Sequence, residues 1–291
     1  MEIKKPNFII IGSAKCGTST LATTLYHHPD CCFSQPKEVE FFNNDNNYSR
    51  GWEWYQQAFA HYNGEPVIGE ATPSYSNRFS HSETAQRIYQ FNPDMKLVYI
   101  VRDPYQKYIS VWRMLARAKD PIAVRGIDYF FENHPRSEAI QKTCCYFYQL
   151  EAYKAFFPDS AILILFMEEL SLNAEQLYNR LFRFLGLEPS KVNMDYQLRE
   201  NSSEVYVSHN YWKRLQHSKM RPLVKKVLPA SLIQFAFKVF GGKRLYVPRE
   251  ELNLKNSQTF NRIVTDDALA FLEMCGKQSD YWQFLSKPKE Y

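Results

Sequence analysis

The stretch Phe8-Ile9-Ile10-Ile11-Gly12-Ser13-Ala14-Lys15-Cys16-Gly17-Thr18-Ser19-Thr20-Leu21 decides the fold. The apolar run Phe8 to Ile11 predicts a buried strand. Thr20 to His28, with Leu21 and Leu25 at helical spacing, predicts the helix that follows. Between them lies a turn of small residues carrying Lys15 and the hydroxyls of Ser13, Thr18 and Ser19. A strand that breaks through such a turn into a helix aims free backbone N–H groups and a positive helix end at one spot. That spot suits a phosphate or sulfate group.

A nucleoside-triphosphate P-loop, G-x-x-x-x-G-K-[ST], is the rival interpretation. Gly12 and Gly17 meet its spacing, but the residue after Gly17 is Thr18 rather than lysine. The lysine of this turn, Lys15, sits inside it. The loop is therefore a relative of the P-loop in shape and not in sequence, and chemistry other than ATP hydrolysis is indicated.

The bulk properties set bounds. The 291 residues suffice for a sizeable core, and the 45% hydrophobic and 23% charged residues are ordinary for a globular protein. Aromatic residues, at 16%, are abundant enough to hint at a ring-rich pocket, although core packing accounts for most of them. A net charge of +5 is compatible with an anionic ligand but too small to argue for nucleic acid. The longest apolar run, 161 to 167, falls well short of the roughly 20 residues of a membrane-spanning helix. Met1 to Pro6 lead directly into the first strand, which leaves no room for a signal peptide, so the expected location is cytoplasmic. The six cysteines show no C-x-x-C spacing, and they are expected to be reduced thiols that bind no metal. Cys16, within the loop, is read first as a small residue that fits.

Along the chain, residues 27 to 36 read as a loop leading into the irregular segment Gln35-Pro36-Lys37-Glu38-Val39-Glu40-Phe41-Phe42. Residues 66 to 73 read as a short strand and 83 to 91 as a helix. Lys96-Leu97-Val98-Tyr99-Ile100-Val101 is a continuous apolar strand covered on both faces. It ends in Arg102-Asp103-Pro104, with Pro104 placed at the first turn of a helix that carries Ser110 about two turns on. Residues 120 to 137 read as irregular, 143 to 157 as helix and 161 to 166 as a buried strand. Residues 173 to 185 form a helix ended by Gly186. The segment 210 to 240 reads as basic and helical, and 266 to 275 as a last helix. Strands alternating with helices imply an α/β fold, a P-loop-like parallel sheet flanked by helices with a helical C-terminal portion. One domain over 1–291 is expected.

Four motifs in order then carry a resemblance. Lys15-x-Gly17-Thr18-Ser19-x-Leu21, Lys37-Glu38-Val39-x-Phe41-Phe42, Gly69-Glu70-x-Thr72-Pro73-x-Tyr75 and Val101-Arg102-Asp103-Pro104 to Ser110 resemble the sulfotransferases. These enzymes use 3′-phosphoadenosine 5′-phosphosulfate (PAPS) and release adenosine 3′,5′-bisphosphate. The likeness is nearest to the heparan sulfate N- and 3-O-sulfotransferase branch and its bacterial relatives. The resemblance implies that Lys15, Gly17, Thr18, Ser19 and Thr20 hold the 5′-phosphosulfate, while Arg102 and Ser110 grip the 3′-phosphate. It also implies Lys15 as the group stabilising the leaving phosphate and Glu38 as general base, with no metal. Sulfuryl transfer, like phosphoryl transfer, asks mainly for alignment and charge stabilisation, and these residue types supply both.

Departures from the pattern bear on the acceptor. Where the heparan 3-O branch has a histidine two residues after the base, this chain has Glu40. Where it has a lysine after the second glutamate, this chain has Ala71. A polyanionic acceptor is therefore not expected. The expected acceptor is a small molecule, lipid or sugar, of the kind found in specialised metabolism. Glu40, Phe42 and Glu70 are the candidate substrate-binding residues. Lys243 and Arg244 are candidates for a late nucleotide-contacting loop, with a solvated basic surface as the equal alternative. The basic segment 221 to 249 is read as a lid or core helix, or as a site of peripheral membrane contact. The alternatives for the whole chain are a P-loop kinase or NTPase and a non-catalytic nucleotide-binding protein.

Overall fold

The computed structural model describes residues 4–191, 247 and 250–286. Its chain order is β1 (Phe8–Gly12), α1 (Thr18–Tyr26), β2 (Cys31–Phe33), α2 (Asp45–Tyr48), α3 (Gly51–Tyr55), β3 (Val67–Ala71), α4 (Thr84–Phe91), β4 (Lys96–Val101) and α5 (Pro104–Arg117). There follow α6 (Ile127–Asn133), α7 (Ser137–Lys142), α8 (Tyr146–Lys154), β5 (Ile162–Phe166), α9 (Glu169–Leu172), α10 (Ala174–Leu185) and α11 (Leu254–Met274). The strands form one sheet in the order β2-β3-β1-β4-β5, every neighbouring pair parallel.

The sheet exists because its strands bury both faces. Along β1, Ile9 and Ile11 join one apolar cluster while Phe8 and Ile10 join the other. The same alternation runs through β4, with Leu97, Tyr99 and Val101 on one side and Val98 and Ile100 on the other. Leu21 and Leu25 of α1 and Leu177, Leu181 and Leu185 of α10 cover one face. Trp112 of α5, Tyr146 of α8 and Phe260 and Phe271 of α11 cover the other. Local signals set the helix ends. Pro104 opens α5, and the Asp103 carboxylate accepts from the Gln106 N–H, capping it. Asn173 caps α10 in the same way, and Gly186 ends it at φ 81°.

β1 lies between β3 and β4, so the chain passes to one side of β1 for β2 and β3 and crosses to the other for β4 and β5. That reversal opens a crevice outside the carboxyl ends of the strands, where α/β sheets bind ligands. Three segments named in the sequence meet there: the loop after β1, Thr72 after β3 and Arg102 after β4.

Three parts of the fold differ from the sequence-based expectation. Cys31-Cys32-Phe33, read within a loop, is the edge strand β2, too short to show a periodic pattern but buried throughout. Residues 127–142, read partly as irregular, hold the helices α6 and α7. Each is only one or two turns long, too short to show a helical period, and the helices form by packing on α5 and α11, with Ile127, Phe130 and Phe131 of α6 buried. The helix expected at 266–275 is the 21-residue α11, which starts at Leu254, where the Asn253 side chain caps it, and a short helix, Gln283–Ser286, follows it. The expected basic helical segment 210–240, with Lys243 and Arg244, lies outside the described residues. Among the described residues no helix is long and apolar enough to cross a membrane.

The pairing of β1 with β3 leaves no room at Gly69, which faces Phe8 in register. A Cβ there would lie 2.2 Å from the Phe8 carbonyl oxygen and 2.5 Å from its ring. Gly69→Ala is therefore expected to destabilise the protein by the upper end of the roughly 1–3 kcal/mol that overpacking costs, or more. Thermal or denaturant unfolding reads it, and a variant as stable as the parent would contradict this packing.

Candidate functional site

The loop after β1 is built to leave donors free. The Ser13 N–H bonds the Ile100 carbonyl at 2.7 Å, tying the loop to β4, and the Cys16 N–H turns back to the Ser13 carbonyl at 3.2 Å. Lys15 then takes φ 66° and Gly17 φ 94°, both left-handed. Lysine pays on the order of 1–2 kcal/mol for that conformation, which Gly17 adopts without cost. Gly17 also caps α1 without a side chain to offer it. Among the described residues, the N–H groups of Lys15, Gly17, Thr18 and Ser19 bond no backbone carbonyl. Thr20 differs, since its N–H already bonds the Gly17 carbonyl at 3.0 Å, leaving its hydroxyl as the group it can present. The result is an uncapped helix N-terminus beside a lysine.

Cations converge on this loop. One Arg102 guanidinium nitrogen, Nη1, donates to the Lys15 carbonyl at 3.3 Å. Burial pushes the Lys15 ammonium below its ordinary value of 10.5, and the charges of Arg117, Arg102 and Lys37 push it the same way. Arg102 is itself fixed from behind, because the Tyr146 hydroxyl donates to its carbonyl at 2.8 Å. Ser110 is half-buried on α5, two turns beyond Arg102. Arg117 lies at the end of the same helix, seven residues past Ser110. Cys16 is fully buried, and burial raises its thiol pKa, so it fills space beneath the loop as expected.

The segment after β2 brings the acidic residues. Glu38 is exposed, with 52% of its side chain open, and its Oε1 pairs with Lys37 Nζ at 3.1 Å. The same Lys37 nitrogen donates to Ser19 Oγ at 3.1 Å, in the first turn of α1. Lys37 thus links the loop to Glu38, a role the sequence signalled only by adjacency. Arg117 was likewise missed, and its one signal is its position two turns from Ser110 on the same helix.

Glu70 has a different place from the one expected. It is 0% exposed and cannot meet an acceptor as the structure stands. Its Oε1 accepts from the Tyr55 and Tyr75 hydroxyls at 2.7 and 2.8 Å, and its Oε2 from Thr72 Oγ1 at 2.5 Å. Because those hydroxyls spend their protons on the carboxylate, their lone pairs are free for the backbone of the next segment. Thr72 Oγ1 accepts from the Val39 N–H at 3.1 Å and the Glu40 N–H at 3.4 Å. Tyr75 accepts from the Phe41 N–H at 2.9 Å and the Phe42 N–H at 3.4 Å. Desolvation raises the Glu70 pKa, and the hydrogen bonds of Thr72, Tyr55 and Tyr75 oppose it. Glu70 is therefore the anchor of residues 39–42 rather than a substrate contact. Phe42 is also fully buried, packed on Phe41, Tyr55 and Phe91, so the expectation of a substrate contact fails there too. Glu40 alone of the three is exposed; it sits at φ 54°, where the segment turns. Among the described residues no group of three or more His, Cys, Asp or Glu side chains is placed to hold a metal ion.

A parallel sheet whose central strand feeds a cationic, uncapped loop at the switch point defines a P-loop-like α/β protein with a loop suited in charge to an anion. Residues 5–237 match the family model described as the sulfotransferase domain, and the chain belongs to that family. It is 35% identical over 147 residues to the membrane-associated sulfotransferase kil1 of Dictyostelium discoideum, an alignment of 48% of this chain and 29% of that protein. It is 29% identical over 203 residues to human bifunctional heparan sulfate N-deacetylase/N-sulfotransferase 3, covering 63% of this chain and 22% of the relative. With mouse heparan sulfate glucosamine 3-O-sulfotransferase 5 the identity is 36% over 115 residues, or 40% of this chain and 32% of the relative. The chain thus spans less than a third of the length of each of these relatives. In fold it is similar to a sulfotransferase from Alicyclobacillus acidocaldarius, with TM-score 0.61, 19% identity and coverage of 97% and 100% of the two chains.

The buried hydroxyl network can be tested through its two tyrosines. Tyr55 serves Glu70 alone among these partners, whereas Tyr75 also serves the Phe41 N–H. Tyr75→Phe should therefore cost about 1–3 kcal/mol of stability, and more than Tyr55→Phe. Urea denaturation of both variants measures the difference. Equal losses would show that Tyr75 does not hold the segment.

Proposed function

We propose that this chain moves a sulfuryl group from PAPS to a hydroxyl or amine of a small-molecule, lipid or sugar acceptor that is not a polyanion. Family membership supports the reaction class. The observation that carries the residue roles is the convergence of Lys15, Arg102 and the free N–H groups of α1 on one loop, joined through Lys37 to Glu38. The site fits the donor in charge and in donor groups, with every element of the cradle a cation, a hydroxyl or a free N–H.

In this reading the N–H groups of Lys15, Gly17, Thr18 and Ser19 and the Thr20 hydroxyl hold the 5′-phosphosulfate. Arg102 and Ser110 hold the 3′-phosphate, with the guanidinium suited to bidentate contact. The donor supplies an activated sulfuryl group whose S–O bond to phosphate breaks as a bond to the acceptor forms. Lys15 places positive charge where the leaving phosphate oxygen becomes negative. Glu38 accepts the proton of the acceptor O–H or N–H. Its exposure leaves it open to an incoming molecule, and Lys37 keeps the carboxylate turned toward the loop.

The acceptor preference rests on charge. Heparan sulfate, named for two of the relatives, is a polyanion. Here the exposed carboxylates at this edge are Glu38 and Glu40, which repel such a chain and suit a neutral or cationic molecule.

Turnover is read by mass spectrometry as the gain of one sulfo group on neutral, cationic and heparan-type acceptors. Lys15→Ala should nearly abolish it with the fold intact, and Glu38→Gln should lower kcat by about 10²–10⁴-fold. Full activity in either variant would remove that residue from its role, and good turnover of heparan-type oligosaccharides alone would overturn the acceptor class.

Lys15 also gives a pH prediction. Its pKa in the free protein is lowered by burial and by Arg117 and Arg102. A bound anion favours the charged form, so binding takes up a proton once the pH rises past the lowered value of the free protein and until it passes the raised value of the complex. The affinity for adenosine 3′,5′-bisphosphate should then fall as pH rises through that range, with proton uptake seen calorimetrically in buffers of different ionisation enthalpy. A pH-independent affinity there would contradict it.

A further inference from the structure

Lys107 lies on α5 between Arg102 and Ser110, and only 1% of it is exposed. Its ammonium donates to Ser13 Oγ at 2.7 Å and to the Thr143 carbonyl. It also lies 5.0 Å from the centroid of the Tyr146 ring. A carbonyl accepts only, and a ring face attracts a cation, so these neighbours suit the charged form. Among the described residues no Asp or Glu forms an ion pair with it. A lysine this deeply buried is rare unless a carboxylate pairs with it, because dipoles alone repay desolvation poorly.

The position of the charge explains what it is for. Ser13 is the residue at which β1 gives way to the loop, and its own N–H is fixed to β4. Lys107 therefore holds the root of the loop from the protein interior. Its field reaches the loop as well. Burial pushes the Cys16 thiol up, and Lys107 is the foremost charge opposing that push, ahead of Arg102. In a dry interior such a charge is screened far less than one at the surface.

We propose that Lys107 is a positioning residue of the donor site, a buried cation that fixes Ser13 and is compensated electrostatically only when a multiply charged anion occupies the loop. This rests on the loop being the donor site. Lys107 touches no reacting atom. It acts through Ser13 and through its field, and it makes the ligand-free protein less stable than an apolar residue there would.

The test compares Lys107→Gln, which keeps hydrogen-bonding capacity without charge, with Lys107→Met, which removes both. Adenosine 3′,5′-bisphosphate is titrated into each at low and high ionic strength, and ligand-free melting temperatures are recorded. The Gln variant should bind about tenfold or more weakly, by a factor that persists at high ionic strength. The Met variant should lose affinity as well, yet melt no lower than the parent. A Gln variant that binds as tightly as the parent would overturn the proposal, as would a loss of affinity that vanishes at high salt. A Met variant that folds but melts well below the parent would reduce Lys107 to a packing residue. A parent protein that does not bind the nucleotide at all would overturn the donor assignment itself.

Discussion

Positive charge gathered at one loop is the constraint around which this molecule is arranged. At the end of β1 the chain turns left-handed at Lys15 and Gly17, leaves the first N–H groups of α1 unbonded, and sets Arg102, Arg117 and Lys37 near the same lysine. Each of these features costs stability in the free protein. Like charges repel, a non-glycine residue sits at positive φ, and a helix end goes uncapped. The cost is carried by the sheet, whose two apolar faces hold β1 and β4 rigidly enough to keep the loop in that state. In the proposed function a bound anion would offset these costs, and the loop would be pre-organised for it rather than assembled on binding.

Carboxylates are divided between two tasks by burial alone. Glu38 and Glu70 lie within one small region, the Val39 N–H lying 3.4 Å from Glu70 Oε2. Glu70 is sealed under Tyr55, Tyr75 and Thr72, where its carboxyl oxygens orient three hydroxyls, two of which secure the backbone N–H groups of 39 to 42. Glu38, immediately before that secured segment, stays exposed and paired with Lys37. A secured backbone beneath an exposed carboxylate is the arrangement that the proposed general base would need, since proton transfer demands geometry first.

The loop and the sheet were legible in the sequence because their signals are local. A β-branched run, a small-residue turn and a proline at the first position of a helix each have a direct steric reading, as at Ile9 to Ile11 and at Pro104. What was not legible depends on distant partners. β2 has three residues and is a strand only because β3 pairs with it. The burial of Glu70 and Phe42 follows from α3 and α4 packing over them, and polarity in the sequence says nothing of accessibility. Lys107 carries no local signal and Arg117 only its spacing from Ser110, and it is the fold that places their charges near the loop.

The most direct measurement is a crystal structure of the protein with adenosine 3′,5′-bisphosphate. It should show the 5′-phosphate on the N–H groups at the start of α1 with Lys15 beside it, the 3′-phosphate against Arg102 and Ser110, and the Glu38 carboxylate facing the 5′-phosphate across open space. A nucleotide bound elsewhere, or one whose 5′-phosphate lies away from Lys15 and Glu38, would contradict the assignment of this loop as the cradle of a sulfuryl donor.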